Sequence, residues 1–311
     1  MIETINYWKK KNNLVFWKKK PKTILFKNKF NYIWFKDGEI NIYQNCISNN
    51  LKNFSKKKAL IIYDKFKNKK TFTYEKIEIL VENFCFILSR YKFNKKDVVA
   101  IHASASIESA VCMLACSRLG ITFSVIFEDL PIPSVIKRIK LLKSKILITR
   151  TNGEELINLR KNIENIKTTK IINFCEQKTQ IKNVQFVKTS SLLIKKKKSF
   201  KKIIFTNSNH PLFVLFTSGS TGDPKGIIHS SGGYFLYAKY TCKKQFGINK
   251  NSVVFTASDA GWINGHTYAL FGPLSFGATS ILVEKPIDIL DKNFLKQIIK
   301  SNKVTVLYLP V

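Results

Sequence analysis

Acidic residues are scarce in this chain: 20 Asp and Glu stand against 53 Lys and Arg in 311 residues, a formal charge of +33. Such an imbalance raises two partner classes, nucleic acid and an anionic membrane. Yet the lysine is spread along the whole chain, beside abundant Asn, Ile and Phe. The runs Lys18-Lys19-Lys20, Lys56-Lys57-Lys58 and Lys195 to Lys198 join no recognisable nucleic-acid module and read as solvated faces. Long apolar runs are also missing. The longest charge-free apolar helix, between Glu108 and Arg118, falls well short of the ~20 residues that span a bilayer. The opening MIETINYWKKKNN lacks the apolar core of a signal peptide. No Cys-x-x-Cys occurs, and Cys112 and Cys116 have no nearby histidine to complete a metal site. The expectation is a cytoplasmic protein with scattered buried thiols, no metal-ligand set, no specific nucleic acid and no membrane partner.

What is present supports a sizeable core, since 45% of residues are hydrophobic. The length allows one large domain or two ordinary ones. From Ala59 the pattern alternates. Strands are expected at Ala59–Tyr63, Val98–His102, Ile121–Phe127, Lys145–Thr149 and Lys170–Phe174. Helices fall between them at Tyr74–Tyr91, Ile107–Leu119 with Gly120 just beyond, Ser134–Leu142 and Glu154–Ile166. Ser190 to Asn209 reads as a surface connection. Later come strand Pro211–Phe216, helix Gly232–Gln245, strand Val253–Ser258, helix His266–Phe271, strand Thr279–Val283, helix Asp291–Ser301 and strand Val304–Leu309. Strands alternating with helices predict an α/β fold of largely parallel sheets with crossover helices. The first 55 residues, aromatic and basic with weak periodicity, read as an irregular arm laid over a larger body.

The most informative stretch is Phe216 to Gly226, FTSGSTGDPKG, directly after a short β-prone run. Its glycines permit sharp turns and close backbone approach. Its hydroxyls and bare N–H groups suit phosphate oxygens, and Lys225 adds charge. A phosphate-loop NTPase is excluded by spacing, because that motif needs Gly-Lys followed at once by Ser or Thr, and Lys225 sits between Pro224 and Gly226. A flexible Ser/Gly connector would need neither the preceding buried strand nor the Pro-Lys-Gly ending.

At these residues the chain resembles the adenylate-forming (AMP-binding) acyl-CoA synthetases. Positions 217–226 match every fixed position of their nucleotide-phosphate loop. The resemblance implies that Thr217, Ser218, Gly219, Ser220, Thr221, Gly222 and Lys225 hold the phosphates of ATP, with Mg²⁺ present. A second constellation is Asp259-x-Gly261-Trp262-x-x-Gly265-His266 at a strand's C-terminal end, where parallel α/β sheets place ligand groups. It is similar to the Asp-x-Gly-Trp-x-x-Gly-His-x-Tyr segment of acetyl- and propionyl-CoA synthetases, with Tyr268, Gly272-Pro273-Leu274 and Gly277-Ala278-Thr279 following in register. That likeness implies that Trp262 borders a small acyl pocket with Asn264 beside it. His229 and His266 have no partner visible in sequence and read as structural or positioning residues. The Trp34-Phe35 to Gly38-Glu39-Ile40-Asn41 segment also resembles the N-terminal extension of the same enzymes.

The resemblance implies an extension over residues 1–55 and an AMP-binding domain over 56–311, incomplete at its C-terminus. The fold expected is thus the N-terminal part of the large domain of an adenylate-forming enzyme, truncated. It implies activation of a small carboxylate to an acyl-adenylate and transfer to CoA. The family's adenine-contacting segment, its Thr-Glu motif and its small C-terminal domain with the catalytic lysine have no counterpart here, so no catalytic residue is assigned. Inactivity alone is expected, unless a second polypeptide supplies the C-terminal half. Where the family has Phe-Gly-Gly-Phe near the CoA site, this chain has Phe127-Glu128-Asp129-Leu130. Two carboxylates there repel CoA's phosphates and lack glycine's freedom. The rival readings are a split enzyme with another acceptor, a decayed non-catalytic fragment and a basic nucleic-acid-binding protein.

Overall fold

A computed structural model describes residues 2–29, 31–164, 166, 169–176, 180–194, 200–217, 223–285 and 291–309. The N-terminal segment is more ordered than an irregular arm. It holds helix α1 (Ile2–Lys11), an antiparallel hairpin of β1 (Leu25–Lys27) and β2 (Tyr32–Trp34), strand β3 (Glu39–Ile40), and a loosely wound turn leading into α2 (Asn49–Phe54). Trp17, Phe35, Ile40, Tyr43 and Ile47 are buried in the same cluster as the central strands. The Asn41 amide donates to the carbonyl oxygens of Ser117 (2.8 Å), Arg118 (3.1 Å) and Ile204 (2.8 Å). A buried amide so bonded is costly to displace, which ties this segment to the core.

The run Lys58–Tyr63 forms β4, and β5 (Lys69–Thr73) folds back on it antiparallel. Thr73 then caps α3 (Tyr74–Leu88), its hydroxyl accepting from the Lys76 N–H at 3.2 Å. After β6 (Val98–His102) comes α4 (Ile107–Leu119), opened by a Ser106–Ser109 capping box and closed by Gly120 in the left-handed region. Every residue of α4 except Glu108 is buried, because both flanks of this helix meet protein. The chain continues through β7 (Thr122–Ile126), α5 (Ile132–Leu142), β8 (Ile146–Thr149), α6 (Gly153–Glu164), β9 (Lys170–Phe174) and β10 (Val184–Val187).

The expected surface connection after this point carries structure: α7 (Thr189–Leu192), then β11 (Thr206–Asn207) paired with β3. Asn83 accounts for part of that order, donating to the carbonyls of Leu192 (2.7 Å) and Ile194 (2.9 Å). Strands β12 (Pro211–Thr217) and β13 (Lys225–Ser230) follow, then α8 (Ser231–Phe246) and β14 (Val253–Thr256). A helical stretch begins at α9 (Ile263–His266), widens over Thr267–Phe271 and ends in α10 (Gly272–Ser275). Strand β15 (Thr279–Val283), helix α11 (Lys292–Asn302) and strand β16 (Val306–Tyr308) complete the order.

Two sheets result. One has the order β10-β9-β8-β6-β7-β12-β13, the other β16-β14-β15-β4-β5. Every pairing within them is parallel except β12–β13 and β4–β5, so the mixed α/β architecture of mostly parallel sheets agrees with the sequence pattern. Among the described residues no helix is long and apolar enough to cross a membrane.

Candidate functional site

The glycine- and hydroxyl-rich stretch joins β12 to β13. Thr217 pairs with Lys225 and Phe216 with Gly226 across the antiparallel hairpin. As cross-strand partners, the two side chains stand on the same face of the hairpin. Ser218, Gly219, Ser220, Thr221 and Gly222 lie outside the described residues. Gly226 is needed for packing as well as reach, since a Cβ there would sit 3.0 Å from Val214 Cγ1 and 3.4 Å from the Phe216 ring. Sequence reading missed β13, because Ile227 and Ile228 are exposed and the segment has no buried alternation to announce it.

Helix α5 lies against β12 and the connection that leads into β13. Lys137 forms an ion pair with Asp223, and the Arg138 guanidinium lies 5.6 Å from the centre of the Phe216 ring. Strand β13 then carries the chain from Lys225 to His229, about 13 Å at strand rise, and His229 lines a cavity of about 620 Å³. Trp8, Trp34, Tyr237, Ile263, Asn264 and Tyr268 share that wall. Its lining is rich in aromatic rings and also carries the polar groups of His229, Ser230, Asn264 and Thr267, a make-up suited to a small-molecule site.

Asn264 lines this cavity, and its amide donates to the Tyr308 hydroxyl at 3.2 Å. Trp262 does not share the lining. It is 59% exposed and stands edge-on to Phe127, ring centres 5.4 Å apart. The turn before it is tightly determined. The Asp259 carboxylate accepts from the Gly261 N–H at 2.7 Å, and a Cβ on Gly261 would meet the Phe127 ring at 2.8 Å. A Cβ on Gly265 would come within 2.2 Å of the Asp259 carbonyl oxygen, so the spacing of these glycines is steric. Burial pushes the Asp259 carboxyl up to about 6, and the nearby charges of Asp129 and Glu128 push the same way.

Both histidines belong to an aromatic cluster. His266 is fully buried, stacked on Phe123 (5.7 Å) and edge-on to Phe213 (4.5 Å), and burial pushes it down to about 3. It stays neutral at any ordinary pH. His229 stacks on the other side of the cluster, 4.7 Å from Phe213, and burial lowers it as well. Phe213 thus connects the hairpin, the cavity and the helical stretch after Trp262. Nothing in the sequence pattern marks Phe213 or Tyr308 as neighbours of the site, because both read as ordinary strand residues.

Comparison with known proteins bears on the family and the fold. Residues 47–310 match the family described as "AMP-binding enzyme". An acetyl-coenzyme A synthetase of Yersinia pseudotuberculosis serotype O:1b is 35% identical over 291 residues, covering 88% of this chain and 44% of that protein. One from Cronobacter sakazakii is 32% identical over 285 residues, with the same coverage of 88% and 44%. The chain thus spans less than half the length of these relatives. The solved structure of an acetoacetyl-CoA synthetase from Streptomyces lividans superposes with a TM-score of 0.86 at 18% identity, covering 99% of this chain and 49% of that one. At that identity the likeness is one of fold.

Proposed function

The chain belongs to the AMP-binding enzyme family, and from that membership we propose that it is the N-terminal portion of a short-chain acyl-CoA synthetase-like ligase. In this reading a carboxylate oxygen of acetate or propionate attacks the α-phosphorus of ATP, pyrophosphate leaves and an acyl-adenylate forms. CoA thiol then displaces AMP. The observation that carries the proposal is the pairing of Thr217 with Lys225 at the mouth of the β12–β13 hairpin. A hydroxyl donor and an exposed cation there fit the oxygens of a leaving pyrophosphate, whose developing charge must be neutralised. Asn264 and the cavity wall would receive the acid.

Among the described residues no group of three His, Cys, Asp or Glu could hold a metal ion. Mg²⁺, which keeps few protein ligands and several phosphate oxygens in such sites, would enter with the nucleotide. CoA fits less well. Glu128 and Asp129 stand by Asp259, whose raised carboxyl already registers their charge. That acidic neighbourhood favours a second reading, one half of an adenylating enzyme with a different acceptor, whose remaining part is another polypeptide.

The test is carboxylate-dependent ATP–pyrophosphate exchange with the purified chain. We expect no exchange from the chain alone, and exchange once a polypeptide matching the rest of the relatives' length is added. Robust exchange by the chain alone would overturn its inactivity. Failure of the complemented protein with every small carboxylate tried would overturn the adenylation reading itself.

A further inference from the structure

Around the cavity of about 620 Å³ stand six aromatic side chains: Trp8, Trp34, Phe35, Tyr234, Tyr237 and Tyr268. Trp8 on α1 and Trp34 on β2 come from the N-terminal segment, so that segment builds part of the wall. Their rings stand edge-on, centres 6.5 Å apart, and Trp8 also meets Tyr237 at 6.1 Å and Tyr240 at 5.3 Å on α8. The Tyr7 hydroxyl donates to that of Tyr240. Helix α1 has no fully buried residue, so partly buried contacts such as these hold Trp8 in the wall. Among the described residues no lysine, arginine, aspartate or glutamate lines the cavity. A carboxylate deep inside would find no cation to pair with, so the charged end of an acid belongs at the mouth and its uncharged end inside.

We propose that this cavity extends the protein's substrate class to arylalkanoic acids, with Trp8 and Trp34 among the residues that set which tails fit. The proposal rests on reading the cavity as the acid's site, and adds to acetate and propionate the acids that fill it. Cavities of roughly 300–1,000 Å³ enclose ligands of many atoms. The one or two apolar carbons of a short acid leave most of this volume without contacts. Reach points the same way, since His229 on the wall lies about 13 Å along β13 from Lys225 at strand rise. An acid with several carbons between ring and carboxylate keeps its ring among the indoles and brings its charge nearer the phosphates expected at Lys225. Walls of indole and phenol also favour edge-on or offset contact with another ring.

The experiment titrates the purified chain by calorimetry with propionate, hexanoate, 4-phenylbutanoate and the uncharged 4-phenylbutanol. Wild type is compared with Trp8→Ala, Tyr237→Ala and, as a control outside the lining, the exposed Phe66→Ala. Trp8 and Tyr237 are themselves partly exposed, so neither truncation opens the core. Each added methylene should tighten binding about three- to fourfold, and 4-phenylbutanoate should bind tightest of the acids. The alcohol should bind nearly as well as its acid, because no cation in the wall holds the carboxylate. Trp8→Ala and Tyr237→Ala should each weaken 4-phenylbutanoate about tenfold, the scale of one lost aromatic contact. Propionate should change little, and Phe66→Ala should behave as wild type. Affinity for 4-phenylbutanoate no better than for propionate, with propionate lost in Asn264→Trp, would overturn the proposal and leave the cavity as the site of a short acid. Binding of 4-phenylbutanoate that survives both Trp8→Ala and Tyr237→Ala would put the ligand elsewhere and overturn it too. So would loss of that binding once the complementing polypeptide is added, because the polypeptide would then fill the cavity. No acid bound by the chain or by the complemented protein would overturn the acid site along with the proposal.

Discussion

Nη2 of Arg150 lies 3.1 Å from Oε1 of Glu284, joining the residue after β8 in one sheet to the residue after β15 in the other. The same guanidinium reaches Glu108 Oε2 at 3.4 Å and donates to Ser104 Oγ at 3.2 Å. Glu284 is only 8% exposed, and its other oxygen accepts from the Lys65 N–H at 3.2 Å. One cation thus serves two carboxylates where the ends of both sheets meet. Arg150→Met should destabilise the protein by about 3–5 kcal/mol, because it strands buried carboxylates. Chemical denaturation at neutral pH measures this. A loss under about 1 kcal/mol would mean that water already solvates the pair.

Asp259 should make stability fall as pH rises. Its folded value of about 6 lies above its ordinary 3.8, so the fold favours the protonated form. That contribution is full below pH 4 and is lost as pH climbs through 6, amounting to about 3 kcal/mol by linkage. Asp259→Asn keeps an oxygen for the Gly261 N–H and cannot ionise. Relative to wild type it should gain stability between pH 4 and 7, read as the difference between paired urea melts. A difference that does not change with pH would refute the buried-carboxylate account.

Gly265→Ala should be more damaging than Gly233→Ala, although both glycines belong to helical segments. At Gly265 the new methyl meets the Asp259 carbonyl oxygen at 2.2 Å, which is backbone and cannot swing away. At Gly233 the nearest atom is Ser230 Oγ at 3.4 Å, an ordinary contact for a movable hydroxyl. Thermal melts of the two variants should separate, with Gly265→Ala losing about 1–3 kcal/mol from overpacking. Gly233→Ala should be neutral or slightly stabilising, as helical Gly→Ala changes commonly are. Equal melts would show that the Asp259 turn yields freely.

The parts legible in the sequence are those written in local chemistry. Residues 98–101 form an unbroken apolar run, and Ile107–Leu119 closes on Gly120, so both elements were readable within a residue or two. The pairing of β15 with β4 was not, because it joins Ile281 to Ile61 across most of the chain and periodicity names no partner. The N-terminal segment misled for a related reason. Trp17 and Phe35 are buried by contacts with distant residues, while their own neighbours are lysines that hide any amphipathic period. At the candidate site, the resemblance singled out Asn264 and Lys225, and the structure puts Asn264 on the cavity wall and Lys225 opposite Thr217. Trp262 is outside the lining of the cavity that Asn264 shares and packs edge-on to Phe127, a direction that no spacing encodes.

The cavity beside Asn264 should control the acid and leave the nucleotide alone. Asn264 sits on α9 and bonds to Tyr308 on β16, whereas Thr217 and Lys225 stand at the far end of β13 from His229. Asn264→Trp would project an indole into the cavity and remove the bond to the Tyr308 hydroxyl. In the complemented protein it should raise KM for the carboxylate at least about tenfold, the scale of a lost pocket contact. KM for ATP should stay within about twofold, since uniform binding at a distant site is untouched. Lys225→Ala should do the reverse, weakening ATP and sparing the acid. The check is steady-state pyrophosphate exchange with each substrate varied in turn. If Asn264→Trp chiefly weakened ATP, the cavity would belong to the nucleotide, and the two ends of β13 would have been assigned the wrong way round.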